Sequence, residues 1–377
     1  MLYGSRIAAV AALLALGATG AQAQVSRDGD TVAISGRGGG KVDYANAKPL
    51  PLPRSAATPT TQAKLLAEGA GVTFPGAPGV SPGKGGDGKK TPKTLPVNKA
   101  LADEGGEVAP QEYGSSNHPY TTSVVENGAD VWYRSAGKLF FVDGSATYVC
   151  SASLIKTGVV VTAAHCVSRF GQRRFYTNFQ YVPAYHLGAA PYGVWTAAQV
   201  RVTTSYFAGT DSCAVSGVVC ANDVAVIVLA AKSGAYPGAQ TGYFGYGYNG
   251  YSYVNGQAAI TQLGYPVALN SGNRMIRTDS QGSVSASDSN NTVIGSLQTG
   301  GSSGGPWLVN FGRTPSLASG VGFGSSPRHN VVVGATSWGY VDTSSSGPKE
   351  QGASPFTSTN IVSLVNASCA AFPAACQ

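Results

Sequence analysis

Three short segments of the sequence carry residue types that can act together as a nucleophile and its base. TAAHC places His165 behind the apolar run 159–161, NDVAVIVL places Asp223 ahead of a second apolar run, and GSSGGP places Ser303 among glycines. A serine hydroxyl is a weak nucleophile near neutral pH and needs a base within hydrogen-bond reach. A histidine with a reference pKa of about 6.5 suits that task, and a carboxylate can hold it in the right tautomer.

Taken singly, each segment also has a purely structural interpretation. His165 fits a strand-end histidine with one satisfied ring nitrogen, Asp223 fits a turn cap before a buried strand, and Ser303 fits a flexible glycine-rich loop. However, glycines around a serine also permit a tight turn that gathers backbone N–H groups into one small space, as an oxyanion hole requires. The presence of all three segments in one chain favours the chemical interpretation.

Together, the segments resemble the chymotrypsin-like (trypsin-fold) serine endopeptidases, in which histidine, aspartate and serine follow one another in this order. The resemblance covers roughly residues 113–377 and includes the strand-like segment CSASLI and the segment SWG. It implies that Ser303 is the nucleophile, His165 the general base and then acid, and Asp223 the orienting carboxylate. The reaction implied is peptide-bond hydrolysis through an acyl-enzyme intermediate.

The resemblance assigns further roles around these residues. The backbone N–H groups of Gly301 and Ser303 would form the oxyanion hole, and Cys150 would form a disulfide with Cys166. Peptide substrates would extend along residues 337–339. The expected substrate-binding residues are Leu297, Gln298, Thr336, Ser337, Trp338 and Gly339.

Several positions depart from the pattern of the digestive members of that family. Ser302 replaces the aspartate that pairs with a newly cut N-terminus, so activation must work differently. Thr299 replaces a pocket cysteine, and Leu297 replaces the aspartate kept by enzymes that cleave after Arg or Lys. Thr336 stands where glutamate-specific relatives have a histidine. We therefore expect a preference for apolar or small residues.

The segment YVCSAS and residues 264–266 are most similar to the bacterial secreted branch, which includes the glutamyl endopeptidases.

The elements that must position these residues read as β-strands. Short apolar runs are separated by turn residues, as at Asp143 and Gly144, and glycine and tyrosine are abundant. We expect an all-β fold of two six-stranded antiparallel β-barrels, the first at about 113–235 and the second at about 236–355. A C-terminal helix at about 356–377, capped by Thr357 or Thr359, would carry apolar residues Ile361, Leu364 and Val365.

The N-terminal part, residues 1–112, differs in composition from the rest of the chain. Residues 1–23 have Arg6, an apolar stretch and small residues before Gln24, which predicts a secretory signal peptide too short to span a bilayer. Residues 24–112 are rich in glycine and proline and are expected to bury little apolar surface. They are either a propeptide, which would make the chain a zymogen, or a disordered leader that stays attached. We favour the propeptide.

Secretion to the extracellular space or periplasm would let the six cysteines pair. Three short loops, Cys150–Cys166, Cys213–Cys220 and Cys369–Cys376, are the simplest of fifteen possible connectivities. No cysteine spacing resembles a zinc site, so neither a metal nor a cofactor is expected. The formal charge of +7 is spread along the chain, which argues against a nucleic-acid partner. We expect a monomer without a membrane span.

Two other function classes compete with an endopeptidase. A non-catalytic binding protein could use the same scaffold, although such proteins usually lack part of the triad. An esterase would use a GxSxG turn and the order serine, acid, histidine, neither of which occurs here.

Overall fold

The computed structural model of the chain describes residues 24–36, 41–54, 68–98, 112–113, 119–312, 326, 328–341 and 349–377. The predicted signal peptide, residues 1–23, lies outside these residues. Among the helices in these described residues, none has the length and apolar composition needed to cross a membrane.

β-Strands are the main regular element of the described chain. In chain order they are β1 (Gln24–Asp28), β2 (Thr31–Ser35), β3 (Lys48–Pro49), β4 (Gly79–Ser81), β5 (Lys93–Thr94), β6 (Glu112–Tyr113), β7 (Tyr120–Val124), β8 (Ala136–Asp143), β9 (Ala146–Lys156), β10 (Val159–Thr162), β11 (Thr177–Pro183), β12 (Ala189–Ala190), β13 (Trp195–Thr203), β14 (Cys213–Val215), β15 (Val218–Cys220), β16 (Ala225–Leu229), β17 (Gly245–Tyr248), β18 (Gln257–Gly264), β19 (Ile276–Ser285), β20 (Asn291–Gly295), β21 (Pro306–Val309), β22 (Val331–Val341) and β23 (Lys349–Pro355).

The helices are short. The α-helices are α1 (Thr204–Ala208), α2 (Gly238–Thr241) and α3 (Ser363–Ala371). A π-helical turn spans Ser358–Val362, and 3₁₀ turns span Tyr44–Asn46, Gly69–Gly71, Ala164–Cys166, Asn270–Gly272 and Pro373–Cys376.

Six antiparallel strands close the first barrel. The order is β8, β9, β10, β16, β13 and β11, and β11 pairs back with β8. Gly144, with φ +62°, makes the tight turn between β8 and β9, as the Asp-Gly pair predicts. The β-branched runs of β10 and β16 are fully buried because both faces of these strands are covered. This barrel therefore holds the two strand ends next to His165 and Asp223.

A second set of six antiparallel strands closes the other barrel. The order is β18, β21, β22, β23, β20 and β19, and β19 pairs back with β18. Its interior is filled by buried side chains that include Ile260, Ile294, Trp307 and Val333. The predicted fold, two six-stranded antiparallel barrels with a C-terminal helix, is confirmed.

A continuous apolar cluster joins the barrels and the C-terminal helix. It contains Val226 of the first barrel, Leu308 of the second and Leu364 of α3, all fully buried. Thr357 begins this C-terminal segment with a capping box: its side chain accepts from the backbone N–H of Asn360, whose side chain accepts from the Thr357 N–H. The predicted helix is present, although its first turn is π-helical.

All six cysteines form disulfides, in the three short loops expected from the sequence. The pairs are Cys150–Cys166, Cys213–Cys220 and Cys369–Cys376. The first ties β9 to the turn that carries His165, which limits the movement of that turn.

The described parts of the leader are ordered and lie against both barrels. Strand β2 pairs with β13, β3 runs parallel to β9, β4 pairs with β17 and β5 pairs with β12. Four of its apolar side chains, Val32, Val42, Ala47 and Leu95, are at most 4% exposed. The barrels supply the apolar partner that the segment lacks by itself, so these few side chains are buried although most of the described leader is exposed or half-buried. Removal as a propeptide stays a prediction.

One strand lies outside its expected barrel. Strand β7 falls in the range assigned from the sequence to the first barrel, but it pairs with β19 of the second.

Lys138 on β8 is a buried lysine that should make the stability of the fold depend on pH. Its Nζ donates to Gly272 O at 2.8 Å and lies 4.5 Å from the Tyr185 ring centroid. Burial lowers the pKa of Lys138 from 10.5 to about 7. Between these values the unfolded chain holds a proton that the folded chain has lost, so the free energy of unfolding should rise with pH, by about 1.4 kcal/mol per pH unit for one proton.

Denaturant unfolding at pH 7.5 and 9.5, in a Ser303→Ala background that prevents self-digestion, measures this slope. Lys138→Met should lose it, whereas Lys41→Met, at an exposed lysine, should keep it. Equal slopes in all three chains would show that Lys138 keeps its proton in the folded protein.

Candidate active site

His165 is held by two hydrogen bonds to one carboxylate. It lies in the 3₁₀ turn that follows β10, where its backbone N–H donates to Asp223 Oδ1 and its Nδ1 lies 2.8 Å from Asp223 Oδ2. Because a carboxylate can only accept, Nδ1 carries a proton. In the neutral ring, Nε2 is then left as the free base.

Asp223 precedes β16 and is only 4% exposed. Its backbone N–H donates to Ser354 Oγ at 3.2 Å, and Ser337 Oγ donates to Asp223 Oδ2 at 2.5 Å. Burial raises the pKa of the Asp223 carboxyl, but the charge of His165 and the hydrogen bonds from His165 and Ser337 outweigh burial and lower it overall. The carboxylate therefore stays charged although it is buried, and it accepts hydrogen bonds from both His165 and Ser337.

The loop ahead of β21 presents Ser303. Gly301 and Gly304 have φ values of +93° and +77°, conformations that a residue with a side chain rarely adopts. The loop is fixed by hydrogen bonds from Gly305 N to Ser302 O at 2.8 Å and from Gly304 N to Thr336 O at 2.7 Å. Ser303 is fully buried, and within the described residues its Oγ has no hydrogen-bond partner.

Ser151 on β9 connects the Ser303 loop to the first barrel. Its N–H donates to Ser303 O at 2.7 Å, its Oγ donates to Gly301 O at 2.9 Å, and that Oγ also accepts from Tyr265 N at 2.9 Å. The Ser303 loop of the second barrel is thus bonded to the first barrel, which carries His165 and Asp223. The sequence segment CSASLI was recognised, but the part played by Ser151 was missed.

The N–H of Gly301, one of the two expected oxyanion donors, donates to Leu50 O of the leader at 3.1 Å. An amide that binds a peptide carbonyl in this position has the geometry needed to bind the oxygen of a substrate.

The expected substrate-binding residues lie on β22 and on the stretch before the Ser303 loop. Ser337 bonds Asp223, Trp338 Nε1 donates to Asn291 Oδ1 at 3.0 Å, and Thr336 Oγ1 accepts from Trp307 Nε1 at 2.9 Å. Leu297 is half-buried and Gln298 is fully buried.

A cluster of buried amides lies beside these residues and was missed from the sequence. Gln351 on β23 donates to Gln298 O and accepts from Gln262 Nε2. A β-carbon placed on Gly339 would lie 2.9 Å from Gln351 Cγ, which sets Gln351 against the expected pocket wall. Nothing in the local sequence marks Gln351, because only the pairing of Gly339 with Gln351 across β22 and β23 places it there.

Two groups of residues in the described part of the chain have donor atoms close enough to hold a metal ion. One contains Cys150, His165 and Cys166, and the other contains Asp211, Cys213 and Cys220. In both groups the cysteines are joined in disulfides, so they offer no thiolate.

Comparison with known proteins agrees with this fold and these motifs. The sequence model of the Trypsin family matches residues 132–360, more than half of the chain. The chain therefore belongs to the trypsin family and is a serine-type endopeptidase, as the sequence predicted. No curated protein gives a significant match.

Solved structures with similarity to the chain include two proteases and a Glu endopeptidase. The protease Anisep from Arthrobacter nicotinovorans is 27% identical, with a TM-score of 0.49, over 63% of this chain and 96% of its own. The thermostable serine protease AL20 from an extremophilic microorganism is 27% identical, with a TM-score of 0.47, over 60% and 92%. A Glu endopeptidase in complex with MPD is 20% identical, with a TM-score of 0.46, over 66% and 96%. The family assignment rests on the Trypsin match.

Gly304 lies where the Ser303 loop packs against the first barrel without room for a side chain. A β-carbon there would lie 1.9 Å from Thr162 Oγ1 and 2.4 Å from Ser151 O, at positive φ. Gly304→Ala should therefore push the Ser303 loop away from the first barrel, abolish most peptidase activity and destabilise the fold by about 2–4 kcal/mol.

Gly234→Ala is the matched control, because Gly234 has φ +79° but nothing within 4 Å of its β-carbon position. It should cost about 1 kcal/mol and leave activity unchanged. Denaturant unfolding and peptide hydrolysis measure both effects. Equal losses in the two variants would mean that backbone strain, and not barrel contact, makes Gly304 necessary.

Proposed function

We propose that this chain is a secreted endopeptidase that cleaves peptide bonds with Ser303, His165 and Asp223 through an acyl-enzyme intermediate. The proposal rests on the two hydrogen bonds from His165 to the buried Asp223 carboxylate. The loop that carries Ser303 is held in place by hydrogen bonds from Ser151 of the first barrel. In the chymotrypsin-like order of residues, each of these groups has a distinct task.

The chemistry follows from the atoms in place. Ser303 Oγ attacks the substrate carbonyl carbon while His165 Nε2 takes its proton, and the resulting imidazolium is stabilised by Asp223. The carbonyl oxygen becomes negative and is bound by the N–H groups of Gly301 and Ser303. His165 then returns the proton to the leaving amine, and water repeats the cycle to release the acyl group.

Specificity is proposed to follow from the amide cluster and the absence of an acid at Leu297. Gln298, Thr336 and Gln351 offer amide and hydroxyl groups but no carboxylate. A buried cationic substrate side chain would have no counter-ion among these groups, so cleavage after Arg or Lys should be disfavoured. An apolar or small residue remains the proposed preference, and placement in the bacterial secreted branch remains part of the proposal.

Chemical labelling of the nucleophile tests the catalytic assignment. A fluorophosphonate should label Ser303, and Ser303→Ala should abolish both labelling and peptide hydrolysis while keeping the fold. Asp223→Asn should lower kcat by about 10⁴-fold because the histidine loses its orienting acceptor. Ser302→Ala, whose hydroxyl donates to Thr299 O, should still be labelled. Labelling that survives in Ser303→Ala would refute the assignment.

A cleavage profile on a peptide library tests the amide cluster. Gln351→Ala removes a side chain next to Gly339, so the preference should shift to larger residues on the acyl side of the cleaved bond. Gln281→Ala, at an exposed glutamine of β19, should leave the profile unchanged. If Gln351→Ala also leaves it unchanged, Gln351 does not line the pocket.

A further inference from the structure

The leader passes through the cleft in which a substrate would bind. Residues 48–54, with the sequence KPLPLPR, form this segment, here called the cleft segment. The carbonyl of Leu50 accepts from Gly301 N at 3.1 Å, and three residues later the carbonyl of Pro53 accepts from Gly339 N at 2.9 Å. It therefore uses one backbone donor assigned to the oxyanion hole and one on the expected substrate-pairing strand.

Side-chain positions agree with this path. A β-carbon on Gly339 would lie 2.7 Å from Leu52 Cδ2, and one on Gly300 would lie 3.0 Å from Leu50 O. Leu50 and Leu52 are half-buried, whereas Pro51 between them is exposed. The two leucines thus face the cleft, and Leu52 lies at the pocket wall formed by Gly339 and Gln351.

The cleft segment runs in the opposite direction to a productive substrate. In an acyl-enzyme, the carbonyl bonded to Ser303 belongs to the residue held in the specificity pocket, so the residues that pair along 337–339 precede that carbonyl in the substrate. Here the residue that reaches Gly339, Pro53, follows the carbonyl at Gly301. The parallel pairing of β3 with β9, continued by the bond from Leu50 N to Val149 O at 3.0 Å, fixes this direction.

This direction protects the segment from the enzyme. Attack on the Leu50 carbonyl would have to break its bond to the nitrogen of Pro51 and deliver a proton from His165 to that nitrogen. Pro51 instead leads towards Gly339, on the side that the acyl group occupies in a productive complex. The leaving nitrogen therefore lies on the wrong side for hydrolysis.

The composition of the segment favours tight binding without regular secondary structure. Pro49, Pro51 and Pro53 restrict φ and hold the preceding residues extended, so little conformational entropy is lost when the segment is bound. Tyr44 and Ala47, just before the segment, anchor it: Ala47 is buried, and Tyr44 Oη donates to Gln180 Oε1 on β11.

We infer that residues 48–54 are a built-in inhibitor, which occupies the substrate cleft in reverse and keeps the full chain inactive until the leader is displaced. The inference rests on the proposed function of Ser303. It also gives an alternative to activation by a newly cut N-terminus, which Ser302 cannot support.

The labelling rate of the intact full chain tests whether residues 48–54 block access to Ser303. At an effective concentration of about 1 mM, a tethered segment with a dissociation constant of about 10–100 μM leaves roughly 1–10% of sites open. The double variant Leu50→Asp/Leu52→Asp should therefore react with a fluorophosphonate about 10- to 100-fold faster than the wild type. Val25→Asp adds a charge to the leader outside the cleft, at a residue 54% exposed, and should react as slowly as the wild type.

The outcomes separate this inference from the proposed function. If the wild type, shown intact by mass spectrometry, is labelled at Ser303 as fast as the double variant, the block is refuted and the nucleophile stands. A further chain has residues 48–54 replaced by seven glycines and serines. If that chain and the double variant both keep the wild-type circular dichroism but are not labelled, the proposed function fails and the inference fails with it.

The direction has its own test in the full chain. Pro51→Ala removes the resistance of a proline bond to hydrolysis, so only reverse binding protects the peptide bond that follows Leu50. Mass spectrometry should show this bond intact after prolonged incubation. Cleavage there in the Pro51→Ala chain, but not when Ser303→Ala is added, would show that the segment binds as a substrate and would overturn the reverse orientation.

Discussion

The close contact between Gly304 and the first barrel is the constraint on which the site depends. The Ser303 loop belongs to one barrel and the His165 turn to the other, so the two groups proposed to be catalytic approach only if the barrels meet without a side chain between them. Ser151 maintains this contact with bonds to both Gly301 and Ser303. Any change that widens the contact moves the proposed nucleophile away from the proposed base, even when each barrel remains folded.

The same contact between the barrels also affects the charge of the Asp223 carboxylate. Asp223 is buried where the barrels join, and it receives hydrogen bonds from His165 of its own barrel and Ser337 of the other. Burying a carboxylate is costly unless its oxygens are satisfied, and here both are. The second barrel therefore helps to stabilise the Asp223 carboxylate that binds His165 in the first barrel.

The leader also binds at the boundary between the two barrels. Its early strands extend the first barrel, and its cleft segment crosses between Gly301 and Gly339 of the second. A segment of low apolar content is ordered here because the barrels provide strand edges and an apolar surface, so only a few buried side chains are needed. The proposed inhibition relies on backbone hydrogen bonds of a reversed segment, so it requires no reactive side chain in residues 48–54.

Local sequence patterns were sufficient to predict the class of fold and to propose the chemistry. Short β-branched runs, the Asp-Gly turn and the order of His165, Asp223 and Ser303 suffice, since strand periodicity and catalytic motifs are local properties. Three contacts became visible only in the folded chain: Ser151 supports the Ser303 loop, Gln351 lies against Gly339, and Leu50 reaches Gly301. These contacts join residues that are far apart in the chain through strand register and barrel packing, and no local pattern encodes such distances. For the same reason, composition suggested a disordered leader: it describes a segment alone, whereas its order depends on what it packs against.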